Sequence, residues 1–195
     1  MRRITIEYAR RKCPGCIQSE RMHLARAILI LLFALSVAPV LFAIDLPTVR
    51  QVDLNRYMGK WYEIARFPNR FQRDCASDTS AEYKVRGDGK VEVINSCREK
   101  NGRVKSVSGT AKVVDSTTNA KLKVTFFWPF YGDYWIIALG ENYEYAVVGE
   151  PSRKYLWILS RTPTLDDATY RRVLERVKAV GYDTAKLQKT SHGQR

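Results

Sequence analysis

From Gly59 onward, short runs of apolar, aromatic and β-branched residues alternate with turn-forming clusters. Within the runs the hydrophobic period is two, the signature of strands with one buried face. The pattern predicts eight strands, at about residues 60–67, 79–86, 90–97, 103–114, 120–127, 133–139, 143–149 and 155–160. Gly87-Asp88-Gly89 joins the second and third as a tight hairpin. Asp115 to Asn119, Gly140-Glu141-Asn142 and Glu150 to Arg153 supply further turns. Before the strands, Asp53 to Tyr57 reads as a capped helical turn leading into Gly59. After them the period changes: Leu165, Thr169, Val173, Val177 and Val180 form one helical stripe over about 165–180, with Thr164 as N-cap, Asp167 three residues later and Gly181 as the stop. Residues 184–189 are expected to add a short strand, and the tail, 191–195, to be loose.

Eight antiparallel strands with short connections need no open edge if they close into an up-and-down barrel, with the helix packed outside. A β-sandwich is the runner-up, but it would need longer crossovers. In a barrel the connections alternate between the two ends. The longest connection, Pro68 to Asp78, and the most aromatic, Trp128-Pro129-Phe130-Tyr131, fall at the same end, which is therefore the expected mouth.

Two pairings follow from that topology. Trp61 begins the first strand at the closed end and Arg161 finishes the eighth there, so a guanidinium over an indole face is expected to seal the base. An ordinary surface arginine is the alternative. Gly59 lets the chain enter closely beside them. Cys75 and Cys97 both fall at the mouth, and hairpin register brings them near. A disulfide is favoured in an oxidising compartment; two buried thiols are the alternative.

Upstream, residues 27–43 are almost wholly apolar and follow Arg21, His23 and Arg26, as in a secretory signal peptide with cleavage after Ala43. The domains are thus expected as a signal region over 1–43, a barrel over 44–190 and the tail. Met22 just before the basic run suggests that translation could start there, in which case residues 1–21 are an over-long start. Cys13-Pro14-Gly15-Cys16 falls within them, without the folded context that metal or redox chemistry needs. No cysteine follows the apolar run to carry a lipid anchor. An exported, periplasmic protein is expected, with contact to the outer membrane as a peripheral possibility.

The formal charge of +13 suggests nucleic acid at first sight. Residues 44–195 carry 26 Lys/Arg against 18 Asp/Glu, interspersed rather than blocked, which reads instead as a solvated face. Histidine occurs only at 23 and 192, so Ser-His-Asp or Cys-His catalysis, histidine-ligated haem and zinc are not expected within the barrel. No phosphate-cradling glycine loop precedes a helix. Glu63 is a candidate acid or base if buried, though a hydrogen-bonded structural carboxylate is the better reading. No cofactor and no metal are expected, and the chain is not expected to be an enzyme.

An eight-stranded barrel has room for one small ligand. Simple alternation from Trp61 points Ala65 and Phe67 inward, and Trp135, Tyr145 and Val147 are expected beside them. Phe71, Phe127, Phe130 and Tyr131 are expected at the rim. Arg66, Arg70 and Arg73 could meet an anionic headgroup there.

Three landmarks coincide: Gly59-Lys60-Trp61, Gly132-Asp133-Tyr134 and Leu159-Ser160-Arg161. Together they resemble the lipocalin family, over about residues 50–189. Arg56 to Phe71 and Tyr155 to Pro163 look like its bacterial outer-membrane members; temperature-induced lipocalins of plants and apolipoprotein D are similar relatives. The resemblance implies a calyx for fatty acids, lysophospholipids or other small apolar molecules, a role in membrane maintenance, and the Trp61–Arg161 contact at the base. Monomer and homodimer both fit. An enzyme acting on a lipid-like substrate, and a module that docks its aromatic mouth on a membrane or partner, are the competing functions.

Overall fold

The computed structural model describes residues 45–193. The signal segment, the Met22 start, the Cys13-Pro14-Gly15-Cys16 motif and the last two residues lie outside them. A short helix, α1 (Leu54–Tyr57), is capped by Asp53, whose carboxylate accepts the amide protons of Asn55 at 2.9 Å and Arg56 at 3.4 Å. Eight strands follow: β1 (Gly59–Arg66), β2 (Cys75–Val85), β3 (Val91–Glu99), β4 (Val104–Val113), β5 (Lys121–Phe127), β6 (Phe130–Leu139), β7 (Tyr145–Gly149) and β8 (Leu156–Ser160). Each is antiparallel to its sequence neighbour, and β1 pairs with both β2 and β8, which closes the barrel. Helix α2 (Asp167–Ala179) packs outside it.

The elements match the sequence pattern with instructive differences. Strand β2 starts at Cys75 rather than 79, through a stretch with two register shifts and a positive φ at Asp78. Its polar, turn-like residues carry no strand signal; the sheet is extended there by pairing across to Arg98 and Glu99. Strand β6 starts at Phe130 rather than 133 and runs through Gly132, leaving only Trp128-Pro129 as the β5–β6 connection. The N-cap of α2 is Asp166, not Thr164: its carboxylate accepts the Thr169 amide proton at 2.9 Å. Thr164 instead accepts at its carbonyl from the Thr162 hydroxyl.

The C-terminal segment makes a two-residue strand, β9 (Gln188–Lys189), beside Ala65 and Arg66 in the upper half of β1. The lower half of β1 pairs with β2 instead, over Gly59–Tyr62. The tail was expected to be loose from Ser191, yet residues 191–193 are held. Ser191 accepts at its carbonyl from the Asp78 amide, His192 bonds to the Glu63 carbonyl at 2.8 Å, and the Gly193 amide donates to Asp78 at 2.9 Å.

Apolar side chains form two cores. Inside the barrel lie Trp61, Tyr83, Val91, Val93, Leu122, Ile136, Val148 and Leu159. Outside it, Ile64, Ala65, Phe67, Ile137, Val147 and Ile158 meet Val173, Val177 and Tyr182. Which residue belongs to which core is decided by two β-bulges, one between Glu63 and Ala65 in β1 and one between Ile136 and Ala138 in β6. Each inserts one residue and reverses the inward–outward alternation beyond it.

Candidate ligand-binding calyx

The floor is built around Trp61, fully buried at the start of β1. Its indole N–H donates to the Tyr57 carbonyl at 2.8 Å. Across the indole face lies the Arg161 guanidinium, 3.8 Å from the ring centroid. The same guanidinium donates to the Arg56 carbonyl at 2.6 Å and the Lys60 carbonyl at 3.0 Å, so it ties α1 and β1 to the end of β8. Arginine suits this position because its planar fork can stack and bond at once. Gly59 stands here with φ +90, a backbone angle that a side-chain-bearing residue adopts only under strain.

Just inside the floor, three phenols form a chain. The Tyr134 hydroxyl lies 2.8 Å from those of Tyr57 and Tyr83. Burial pushes the Tyr83 phenol up to about 12 and those of Tyr57 and Tyr134 well above the ordinary value, so all three stay neutral at physiological pH. They border an apolar cavity of about 10 Å³ together with Met58, Val93 and Leu122, room for roughly one water-sized group. Above it the barrel opens. Strand β4 is exposed on both faces from Val104 to Ser108, so its inner side at that level faces solvent through the mouth. The Phe126 ring lies over Gly109, where an added Cβ would stand 2.6 Å from it. Gly132 shares the inward face with Tyr134, and a Cβ there would meet no atom closer than 4.0 Å.

On the opposite wall the upper barrel is polar. The Glu63 carboxylate, 2% exposed, accepts from Gln72 at 2.6 Å and from the Thr190 hydroxyl at 2.5 Å, with the Arg66 guanidinium 3.7 Å away. Gln72 in turn accepts from the Trp157 indole at 2.9 Å and from Asn69 at 2.8 Å. One carboxylate thus links the β1–β2 loop, the tail and the inner face of β8. Burial pushes the Glu63 carboxyl above its usual range, partly offset by the Thr190 and Gln72 hydrogen bonds and the Arg66 charge. A raised folded-state value favours the protonated form, so this group's contribution to stability is full below its unfolded value, about 4. It is lost as pH rises through the folded value. Glu63→Gln keeps the shape and removes the titration. The urea midpoint of the wild type is therefore expected to fall relative to that of the variant between about pH 4 and neutrality. A constant difference across that range would contradict this.

The expected site residues divide between the two faces. Trp61, Gly59 and Arg161 come together at the base. Cys75 and Cys97 form a disulfide with Cα atoms 5.6 Å apart, pinning the β1–β2 loop to β3. Phe71, Phe127, Phe130 and Tyr131 stand exposed at the mouth. Ala65, Phe67, Trp135, Tyr145 and Val147, expected in the cavity, lie instead in the outer core beneath α2 or at its margin. For Ala65 the reason is the β1 bulge. For Tyr145 and Val147 it is strand register: their neighbours Ala146 and Val148 pair with Leu159 and Trp157, on the inner face. Trp135 is the outward neighbour of Tyr134 and Ile136, its ring covered by the Lys121 ammonium at 4.1 Å. Phe67 follows the bulge and packs its ring against Tyr182 at 5.8 Å. The residues that do line the interior and were missed are Tyr57, Tyr83, Tyr134, Phe126 and Trp157. Tyr83 was within reach: Trp61 pairs with Ala81, so counting by twos along β2 gives Tyr83.

A family model described as a lipocalin-like domain matches residues 52–192. The chain belongs to the lipocalin family. This lipocalin is 41% identical over 154 residues to temperature-induced lipocalin-1 of Arabidopsis thaliana, covering 75% of this chain and 82% of that protein. It is 45% identical over 141 residues to outer membrane lipoprotein Blc of Vibrio cholerae, covering 71% and 82%. With bovine (Bos taurus) apolipoprotein D it shares 35% identity over 130 residues, 63% and 68% of the two chains. Among solved structures it is similar to insecticyanin from the tobacco hornworm Manduca sexta, at a TM-score of 0.64 and 26% identity over 77% of this chain and 86% of that one.

Proposed function

We propose that this lipocalin binds and carries a small apolar ligand of the fatty-acid or lysophospholipid class, for upkeep of the cell envelope. The observation that carries the reading is a barrel sealed at one end by Trp61 and Arg161, lined above that seal by apolar side chains and three neutral phenols, polar on one upper wall around Glu63, and open to solvent at the other end. The acyl chain would enter past Phe126, displacing that ring from Gly109, and stop above the three phenols. The headgroup would stay at the upper wall beside Arg66, Gln72 and Trp157. Burial of each methylene contributes about 0.8 kcal/mol. A chain buried over part of its length therefore offsets association costs of roughly 4–15 kcal/mol and leaves micromolar affinity.

Export to the periplasm, with contact to the outer membrane, fits both the Cys75–Cys97 bridge, which needs an oxidising compartment, and the relative in Vibrio cholerae named as an outer membrane lipoprotein. Passive binding rather than turnover fits the described histidine: His192 sits in the tail, its ring nitrogen 2.8 Å from the Glu63 carbonyl and its ring edge-on to Tyr62. Native mass spectrometry of the purified barrel domain tests the reading. Co-purifying lipid released intact by gas-phase activation is the expected result. A protein that stays free of mass additions after incubation with oleate and with lysophosphatidylcholine would overturn it.

A further inference from the structure

The floor of the well holds one hydrogen-bond donor more than it has acceptors for. Tyr57, Tyr83 and Tyr134 each bring a hydroxyl proton, and burial keeps the three phenols neutral, so the protons are present. The chain has two contacts, Tyr57 to Tyr134 and Tyr134 to Tyr83, both 2.8 Å. Each contact holds one proton between its oxygens, which leaves the third without a phenol to meet. The carbonyls of the floor face other donors: Tyr57 the Trp61 indole, Arg56 and Lys60 the Arg161 guanidinium, Asp53 and Leu54 the amides of Tyr57 and Met58. Among the described residues no acceptor bonds to the third proton. The other side chains around the small cavity, among them Met58, Val91, Val93, Ala111 and Leu122, are apolar. A buried donor without an acceptor is costly, and a ligand that supplies one recovers that cost.

The phenols can be reached from the mouth. Tyr134 is only partly buried and shares the inward face with Gly132, where a Cβ would meet no atom closer than 4.0 Å. The cavity that the phenols border, about 10 Å³, admits one oxygen-sized group. Arg161 lies near enough for its charge to act on both Tyr57 and Tyr83, so the floor favours an oxygen that accepts. One free proton does not replace the hydration of a carboxylate, so a neutral oxygen fits better than a charged one. We propose that the well selects an amphiphile with a hydroxyl or carbonyl oxygen at the end that enters first, and that the free proton of the phenol chain donates to it. This rests on the ligand class proposed above and names its far end: an ω-oxygenated fatty acid or its lysophospholipid, head at the mouth and oxygen at the floor. A plain methyl end at the same point excludes water from the phenols without replacing its hydrogen bond.

The test uses residues 45–195, whose cores, disulfide and caps are all internal to that segment. Decanoate, dodecanoate, tetradecanoate and hexadecanoate, each with and without a terminal hydroxyl, are competed against a fluorescent fatty acid. At the length whose end reaches the floor, the hydroxylated acid is expected to bind about tenfold more tightly than its parent. Without a partner at the floor the sign reverses, because a hydroxyl taken from water into an apolar site weakens binding. A hydroxyl beside the head, in 2-hydroxyhexadecanoate, is expected to bring no gain. The triple variant Tyr57→Phe, Tyr83→Phe, Tyr134→Phe keeps the rings and removes the protons. It is expected to bind the parent acids at least as tightly as wild type does and to prefer them to the hydroxylated ones. Tyr83→Phe alone leaves two protons and one contact, hence one free proton, and is expected to keep the wild-type preference. Wild type that binds every parent at least as tightly as its hydroxylated partner, or a triple variant that keeps the preference, overturns the proposal. The wild-type comparison decides it even if the triple variant does not fold. Binding of the parents without an end-group preference leaves the proposed function standing, whereas no binding of any of the acids overturns both.

Discussion

Trp61→Ala is expected to remove about 3–5 kcal/mol of stability, the range for truncating a fully buried large aromatic. The indole is fully buried, and the void left by its removal has little chance to collapse. Its neighbours are held by other bonds: Tyr57 by α1 and the phenol chain, and Arg161 by the Arg56 and Lys60 carbonyls. The guanidinium loses its stacking partner while keeping its carbonyl contacts, so the damage is a hole in the floor rather than a swinging arginine. Arg161→Lys probes the other half of the seal. It keeps the charge but loses the planar fork that reaches the Arg56 and Lys60 carbonyls together, and about 1–2 kcal/mol is expected. Urea unfolding followed by far-ultraviolet circular dichroism checks both, since a change in midpoint at constant slope isolates stability. A loss below about 1 kcal/mol for Trp61→Ala would mean that the floor is not held together through the indole.

Opening the Cys75–Cys97 bridge comes next in size. The two cysteines are 22 residues apart, and closing a loop of that length in the unfolded chain corresponds to about 3 kcal/mol. The consequence should also be local. The bridge anchors the start of β2 where its pairing with β3 is irregular, and Asp78 nearby holds the tail through Ser191 and Gly193. The double variant Cys75→Ser, Cys97→Ser is expected to lower the urea midpoint accordingly. It should also speed amide hydrogen exchange over 75–79 and 190–193 more than in the floor strands. Uniform exchange across the barrel would show that the bridge does not act on the mouth in particular.

The architecture was legible because each strand announces itself. Period-two runs, Gly87-Asp88-Gly89 and the turn after Gly140 fixed the hairpins, and hairpins alternating between two ends dictated that Trp61 and Arg161 meet. The disulfide followed from the same alternation. Illegible were the β-bulges. An extra residue in β1 between Glu63 and Ala65 has no compositional mark, because Ile64 is as strand-like as its neighbours. Alternation counted through it therefore assigned Ala65 and Phe67 to the well, whereas they serve the outer core. Strands β6 and β7 posed a different difficulty: Trp135, Tyr145 and Val147 are as apolar as the inward-facing Ile136, Ala146 and Val148, so pattern alone does not tell a face covered by a helix from a face lining a cavity. The tail was misread because Ser191, His192 and Gly193 bond mainly through backbone groups, which leave little trace in composition.

The central claim is that the space inside the upper barrel is where an apolar ligand sits, and Gly132→Trp tests it most directly. The glycine faces inward with open space before it, so an indole there should fill the well without disturbing the strands. Wild type and variant are titrated with oleate, following the change in total tryptophan emission and, independently, competition with a fluorescent fatty acid. The account predicts saturable one-to-one binding to the wild type at roughly micromolar affinity. It predicts loss of that binding in the variant, with melting temperature retained. Undiminished binding by the plugged barrel would contradict the account, because the ligand would then have to sit elsewhere.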